Sequence, residues 1–523
     1  MTAFSTPHEG PTTGEPAPPV LQQKLGLFDS TMLVTGAMIG SGIFIVSADI
    51  ARDVGASGWF LLVWVLTGLL TVLGALSYAE LAAMMPQAGG QYVYLRQAFS
   101  PLWGFLYGWT LFLVIQTGSI AAVSVAFAKF LGVLVPACGT DHILFRQANL
   151  GISLSLPLPW SAEPLVFFER SEFTISAGQL VAVAVTVVLT LLNCRDIEAG
   201  KWVQNIFTVA KTCGLLLLIG AGLFTAANST AIDANMRDWW AGIRQTPRFA
   251  MTEELTGGGF WLPALMVMGG AMVGSLFSAD AWNNVTFTAG EVKNPHRNLP
   301  LSLVLGTSFV IGLYLLANVT YLAALPMSGE ADGAGPLERG IAHARDDRVG
   351  TAVLEMVSPR LGVPLMAVAI MISTFGCVNG MILMGARLYY AMAQDGLFFR
   401  SIGRLNRRGV PAAGLLLQGT WTILLIFSGT YSELLDYVIF AALFFYVLTI
   451  AGLFVLRRRL PDAPRPYRTW GYPLAPLFYV VVCALIMIDL LIVKPVYAWP
   501  GLVIVLSGIP VYGIWRAVGG RRK

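Results

Sequence analysis

Charge is what this chain has least of. Asp, Glu, Lys and Arg make up 12% of its 523 residues, against about 25% in a soluble globular domain. A mean hydropathy of +0.69 goes with that scarcity, and together they exclude a soluble protein. Histidine is scarcer still. All four (His8, His142, His296 and His343) lie in tails or connections, which argues against a His-ligated haem or an intramembrane zinc. The five cysteines (Cys138, Cys194, Cys213, Cys377 and Cys483) lack metal-type or disulfide-type spacing. Four fall in or beside apolar runs, where Cys acts as a small hydrophobe. No HExxH and no GxxxxGK[ST] occur, so neither a zinc protease nor a nucleotide-driven pump is supported. No ladder of arginines marks a voltage sensor. The opening "MTAFSTPHEGPTTGEPAPPV" lacks a basic region followed by an apolar core, so it is not a signal peptide. Its Pro, Thr and Gly content reads as a disordered tail over 1–23.

What is there is apolar length. Runs able to cross a hydrocarbon core, about 20 residues each, recur twelve times. They lie at roughly 28–50, 58–84, 101–134, 175–192, 203–225, 260–288, 301–325, 362–392, 412–429, 433–456, 473–492 and 498–517. The expected fold is an all-α polytopic membrane protein. Short connections rich in Lys and Arg, above all "RSIGRLNRR" and "RRRLPDAPRPYR", vote for cytoplasmic placement. Both termini are then expected in the cytoplasm. The long opposite connections differ in character. The one at 135–174 suits a small hairpin, and those at 226–259 and 326–361 suit amphipathic helices. "PQAGGQYVYLRQAF" reads as a short interfacial helix after a Pro and a Gly pair. "GAMIGS" at Gly36–Ser41 returns as "GAMVGS" at Gly270–Ser275. Taken as a true repeat and not as chance, it spaces spans 1 and 6 five apart, so the two halves run inverted. Inverted halves with discontinuous helices in matching positions mark secondary transporters.

Span 1 is weakest where a membrane helix should be firm. Interior glycines cost about 0.8–1 kcal/mol each relative to Ala, yet "GAMIGSGIF" packs three glycines and a serine into seven positions. Gly36-x-x-x-Gly40 has a plain reading as a packing face. Gly40, Ser41 and Gly42 follow one another around the helix and do not. They read as an unwound segment at mid-membrane. Its free amides suit a carboxylate, and the carbonyls of Met38 and Ile39 suit an ammonium group. In span 6 Asp280 lies near the centre, where a charge costs about 2.5–3.5 kcal/mol. It either caps the second half of a broken helix or touches the substrate. Phe277 is either a lid over a ligand or a lipid-facing ring. Lys211 sits about nine residues into span 5, deep for snorkelling. A buried ammonium there either replaces a metal ion or loses its proton. Span 8 offers Ser373, Thr374, Gly376, Cys377 and Asn379 as partners.

Five stretches carry a family resemblance. They are "GAMIGSGIF", "SYAELAAMMPQAGGQYVYLRQAF", "AWNNVTFTAGEVKNPHRNLP", "LANVTYLAALP" and "STFGCVNGMILMGARLYY". On these the chain resembles the amino acid–polyamine–organocation superfamily over about residues 24–495, most closely its L-type amino acid exchanger branch. The resemblance implies twelve helices in a five-plus-five inverted repeat of the leucine-transporter type, with spans 1 and 6 unwound. The repeats would be 24–225 and 260–456, linked by 226–259 and followed by spans 11 and 12 in 457–523. Ser41, Gly42 and Ile43 would give amides to the substrate carboxylate, with Gly40 and Ser278 beside them. Met38, Ile39 and Phe277 would give carbonyls to its ammonium, and Phe277 would gate the site. Lys211 would occupy the place of a sodium ion in sodium-coupled relatives and bridge span 1 to Ser373. Three positions depart from the pattern of many animal exchangers. Asp280 stands where they have glycine, Ala279 where they have a larger residue, and Cys377 where they often have serine. Cys138 falls near a cysteine those proteins bond to a heavy chain. The surrounding loop is unlike theirs, so no heavy-chain partner is expected.

The function expected is Na⁺-independent transport of L-amino acids by alternating access. Exchange is favoured with Lys211 as a fixed cation, and proton-coupled uptake with Lys211 titrating. A transport-dead amino acid sensor is the reading from another class, and the lack of an added soluble signalling domain counts against it. Paired catalytic groups are absent, so no enzyme activity is expected. No cofactor and no nucleic acid enter; the partners are the amino acid and membrane lipid of the plasma membrane.

Overall fold

A computed structural model describes residues 21–156, 165–237, 239–428 and 431–520. The tail expected over 1–23 therefore lies almost wholly outside the described residues, as do Arg521, Arg522 and Lys523 at the other end. The chain folds into α1 (Leu27–Met38), α2 (Gly42–Val54), α3 (Ser57–Met84), α4 (Gln91–Ala98), α5 (Pro101–Thr110) and α6 (Gln116–Leu134). A hairpin of β1 (Ile143–Leu156) and β2 (Leu165–Ser176) leads into α7 (Ala177–Arg195) and α8 (Ile197–Phe224). Two short helices, α9 (Ser229–Arg237) and α10 (Pro247–Thr256), precede α11 (Trp261–Ser278) and α12 (Pro295–Ala324). After the single turn α13 (Pro336–Arg339) come α14 (Val349–Val357), α15 (Gly362–Gln394) and α16 (Ala412–Ser428). The chain closes with α17 (Tyr431–Arg459), α18 (Leu474–Val493) and α19 (Pro495–Gly520).

Among the described residues ten helices are long and apolar enough to cross a bilayer. The pair α1–α2, bent by 41°, makes an eleventh if counted as one span. The run expected at 412–429 is α16, an apolar helix of only 17 residues, and its last expected position is not described. Exposed apolar rows, such as Leu216, Leu217 and Phe224 on α8, are the lipid-facing sides that a helical membrane protein must present.

Helix ends follow local chemistry. Ser176 and Gln179 form a reciprocal capping box that starts α7. Asp196 caps α8 through the Glu198 amide, and Thr246 caps α10 with Pro247 in its first turn. Gly55, at φ 62°, ends α2 in the left-handed conformation that suits glycine. The connection at 135–174 does form an antiparallel hairpin, the one β-sheet among the described residues. Helices stand in the other two long connections, and α4 occupies the expected interfacial stretch.

Span 3 holds a feature that the apolar pattern did not announce. Between α5 and α6 the helix widens into a π-turn over Leu111–Ile115. The carbonyls it frees are taken up, Phe112 O by the Thr117 hydroxyl at 2.7 Å and Leu113 O by the Trp421 indole at 3.0 Å. Such turns recur at functional sites.

Candidate functional site

Both helices expected to be discontinuous are broken. After Met38 the chain turns extended at Ile39, and helix resumes at Gly42. α11 ends at Ser278, Ala281 adopts φ 65°, and a 3-10 segment runs from Trp282 to Glu291. A left-handed alanine is strained by about 1–3 kcal/mol.

The two breaks touch. A Cβ on Gly42 would lie 2.3 Å from Ser278 Oγ and 3.1 Å from its Cα, so only glycine lets the backbones approach this closely. Tyr314 of α12 ties them further, its hydroxyl donating to Met38 O at 2.9 Å and reaching Ser278 O at 3.1 Å. Gly36 plays the packing part read from the sequence. The side chains of Gln204 and Thr208 from α8 fill the space where its Cβ would be.

Lys211 does not snorkel. It is 2% exposed, and its Nζ donates to Gly36 O at 2.5 Å, Ile39 O at 2.8 Å and Ser373 O at 3.2 Å. An ammonium there meets the negative end of the α1 dipole. The Ser373 hydroxyl is shared between Ile39 O and Gly40 O, both at 3.0 Å, and the Cys377 thiol donates to Ala37 O at 3.1 Å. Every carbonyl from Gly36 to Gly40 thus has a protein donor. Gly376 makes the approach of α8 possible, since a Cβ there would meet Phe207 at 2.7 Å and Lys211 Nζ at 3.5 Å. Thr374 turns back to its own helix. Asn379 bonds Gly200 O and Gln204 and holds α15 to α8.

The amides present the opposite picture. Among the described residues, those of Gly40, Ser41, Gly42 and Ile43 donate to no backbone or side-chain acceptor. They stand beside a cavity of about 30 Å³ lined by Met38, Gly40, Ser41, Gly42, Ser119, Phe277, Ser278, Asp280, Cys377 and Met381 among others. That leaves room for about one or two water molecules. Unpaired amides at the start of α2 make an anion-binding end. Phe277 borders the cavity, and its carbonyl accepts the Asp280 amide at 3.1 Å. Of the three carbonyls implied for an ammonium group, Ile39 O accepts from Lys211 Nζ and shares the single Ser373 proton with Gly40 O. Met38 O shares the Tyr314 proton with Ser278 O, and Phe277 O faces the amides of Ala279 and Asp280. Asp280 sits one residue before the cap position, Ala281, and its Oδ1 accepts the Tyr446 hydroxyl at 2.5 Å. It also borders two further small cavities.

Sequence reasoning missed Tyr314, Tyr321 and Tyr446. Tyr321 donates to Ile43 O at 3.1 Å, so two tyrosines of α12, seven residues apart on one face, serve the broken span. That spacing is the signal that could have found the pair. Tyr446 carries no such mark. A larger cavity, about 400 Å³, lies elsewhere, lined by Lys129, Arg345, Arg348, Thr351 and their neighbours. It shares no lining residue with the site.

The family model described as amino acid permease matches residues 25–511. The chain is 28% identical over 494 residues to the large neutral amino acids transporter small subunit 2 of Homo sapiens, covering 94% of this chain and 80% of that one. It is also 28% identical over 499 residues to the b(0,+)-type amino acid transporter 1 of Mus musculus, covering 94% and 88%. Two broken helices meeting at a cavity of free amides, a buried ammonium across one break and a match over nearly the whole length lead to one conclusion: the chain belongs to the amino acid permease family.

Proposed function

We propose that the chain is a Na⁺-independent secondary transporter of L-amino acids that works by alternating access, as an exchanger. The observation that carries the reading is Lys211, whose ammonium holds three carbonyls at the span 1 break. A fixed cation in that place needs no metal ion. The substrate carboxylate would meet the free amides of Ser41, Gly42 and Ile43, with Gly40 and Ser278 shaping the cavity. Its ammonium would use the carbonyls of Met38, Ile39 and Phe277, and Phe277 would gate the site. Lys211 and Ser373 would couple occupancy to movement of α1 against α15.

In this reading α16 counts as a full span, giving twelve. Residues 24–225 and 260–456 form inverted repeats joined by 226–259, with spans 11 and 12 in 457–523. Both termini face the cytoplasm of a cell whose plasma membrane holds the protein. The chain works without a heavy chain. Proton-coupled uptake is the second reading, favoured by Asp280 at the cavity.

The test is reconstitution of the purified chain alone in liposomes with a panel of labelled L-amino acids. Uptake that requires amino acid inside and ignores both Na⁺ and a pH gradient supports exchange. Uptake driven by an inward proton gradient into empty liposomes sinks exchange in favour of the second reading. Transport of no amino acid under any condition refutes both.

A further inference from the structure

Asp280 is the starting point of a buried hydrogen-bonded chain that transport as described above does not use. The Tyr446 hydroxyl lies 2.5 Å from Asp280 Oδ1 and 3.1 Å from Asn283 Oδ1. Asn283 Nδ2 donates to Gln91 Oε1 at 2.8 Å, and Gln91 Nε2 donates to the Thr449 hydroxyl at 3.0 Å. Thr449 donates to Phe445 O at 2.7 Å. Tyr446, Asn283, Gln91 and Thr449 are all more than nine-tenths buried.

Counting protons shows that the chain cannot be indifferent to charge. Tyr446 has one hydroxyl hydrogen, yet two acceptors face it. An ionised carboxylate only accepts, so with Asp280 ionised the tyrosine proton stays on Asp280. Asn283 Oδ1 then loses its Tyr446 donor. With Asp280 a neutral acid, its own proton goes to Tyr446, and the tyrosine proton is released to Asn283. Each link from Asp280 to Thr449 then joins a donor to an acceptor. The other complete arrangement turns both amides over, takes Thr449 off Phe445 O and runs towards an ionised Asp280. The direction of the chain therefore follows the charge of Asp280.

We propose that Asp280 is a proton-binding group whose charge sets the direction of this chain, and through Gln91 the packing of α4 against the second half of span 6. The proton comes from water in the small cavity that Asp280 borders, and no bond to substrate is made. The titratable groups facing Asp280 are Tyr446 of α17, Tyr107 of α5, Tyr78 of α3, Tyr479 of α18 and Cys377 of α15. Among the described residues no Lys or Arg acts on its carboxylate, so a proton is what neutralises it. Gln91 is the first residue of α4, and the preceding Gly90, at φ 44°, lies directly against Thr286. Gly89 donates to Phe287 O at 3.1 Å. A change at Gln91 is thus felt where α4 meets residues 283–287. The proposal rests on the transport reading only for what the cavity holds.

The test is hydrogen exchange, read by mass spectrometry, on the full chain in lipid nanodiscs without amino acid, over a pH series. The readout is the protection factor of Pro86–Ala98. One buried hydrogen bond gained or lost should change that factor about 2- to 10-fold between the acid and alkaline limits. Asp280→Asn should hold it constant across the series, and Tyr446→Phe should flatten it with Asp280 still present. Protection in the parent chain that ignores pH overturns the proposal, as does an unchanged pH dependence in Asp280→Asn. Should Asp280→Asn fail to fold, Tyr446→Phe and Thr449→Val decide in its place, and retained pH dependence in both overturns it. No substrate is present, so the outcome stands whatever the liposome assay gives.

Discussion

The glycines of the span 1 break are not equivalent, and a methyl scan separates them. A Cβ at Gly40 would meet nothing closer than Cys377 Sγ at 3.6 Å, an ordinary van der Waals distance. A Cβ at Gly42 would lie 2.3 Å from Ser278 Oγ, 2.9 Å from Ser278 Cβ and 3.1 Å from Ser278 Cα. The hydroxyl can rotate away, but the α-carbon cannot. Gly42→Ala must therefore push α2 and α11 apart by a few tenths of an ångström at the point where both are broken. Overpacking of this kind costs about 1–3 kcal/mol, or about 5- to 150-fold in any equilibrium that needs the close approach. Neither substitution meets a left-handed φ, so backbone strain does not blur the comparison. The assay is initial uptake in proteoliposomes beside thermal unfolding of the same preparations in detergent. Gly40→Ala should keep the stability within the scatter of surface substitutions, about 0.5 kcal/mol, and lose less uptake than Gly42→Ala. Gly42→Ala should lose at least tenfold in uptake, with a lower melting temperature. Equal damage from the two, or full activity in Gly42→Ala, refutes the claim that contact between the breaks matters.

Other perturbations report on other parts of the site. Lys211→Met keeps the volume but leaves Gly36 O without a donor, a cost of about 1–3 kcal/mol offset by no longer burying a charge. Uptake should fall more than tenfold while the melting temperature moves little; uptake within twofold of the parent would remove Lys211 from the mechanism. Tyr314→Phe deletes the hydroxyl that serves both Met38 O and Ser278 O and should destabilise by about 1–3 kcal/mol in thermal unfolding. Tyr321→Phe, touching Ile43 O alone, should cost less. Arg387 and Glu291 form a pair in which each side chain is 1% exposed. Arg387→Met strands a buried carboxylate and should cost about 3–5 kcal/mol. Adding Glu291→Gln should restore part of it, and no restoration would mean that the pair is not the cause.

Much of this was legible because the signals were local. Crowded glycines in span 1, an acid in span 6 and a lysine far from either end of span 5 each violate what a lipid-facing helix permits. A helix that breaks such rules is recognisable without its neighbours. The partners were not legible, since Tyr314, Tyr321 and Tyr446 look like any aromatic in an apolar run until three-dimensional packing aims their hydroxyls. The π-turn at Leu111–Ile115 escaped for a related reason. Its sequence is uniformly apolar, and the donors that stabilise it, Thr117 and Trp421, act through contacts whose geometry composition does not encode. The reading of Met38 and Ile39 as free acceptors was right about their release from the helix. What it could not see is that Tyr314, Lys211 and Ser373 also donate to them.

One tie at the far end of the broken spans bears on how they move. The backbone of Lys24 and Leu25 donates to Glu291 O at 2.9 and 3.0 Å, and Lys293 donates back to Leu25 O at 2.8 Å. This short parallel bridge between Leu25 and Val292 joins the root of span 1 to the foot of span 6. The same two spans meet again at Gly42 and Ser278. Two rods pinned to each other at two levels form a closed linkage, and a closed linkage has fewer independent motions than two free rods. Span 1 cannot swing at its root without dragging the foot of span 6 and, through the Glu291–Arg387 pair, the C-terminal part of α15. Shortening the chain past Leu25 would unpin one joint and turn a concerted stroke into two loose ones.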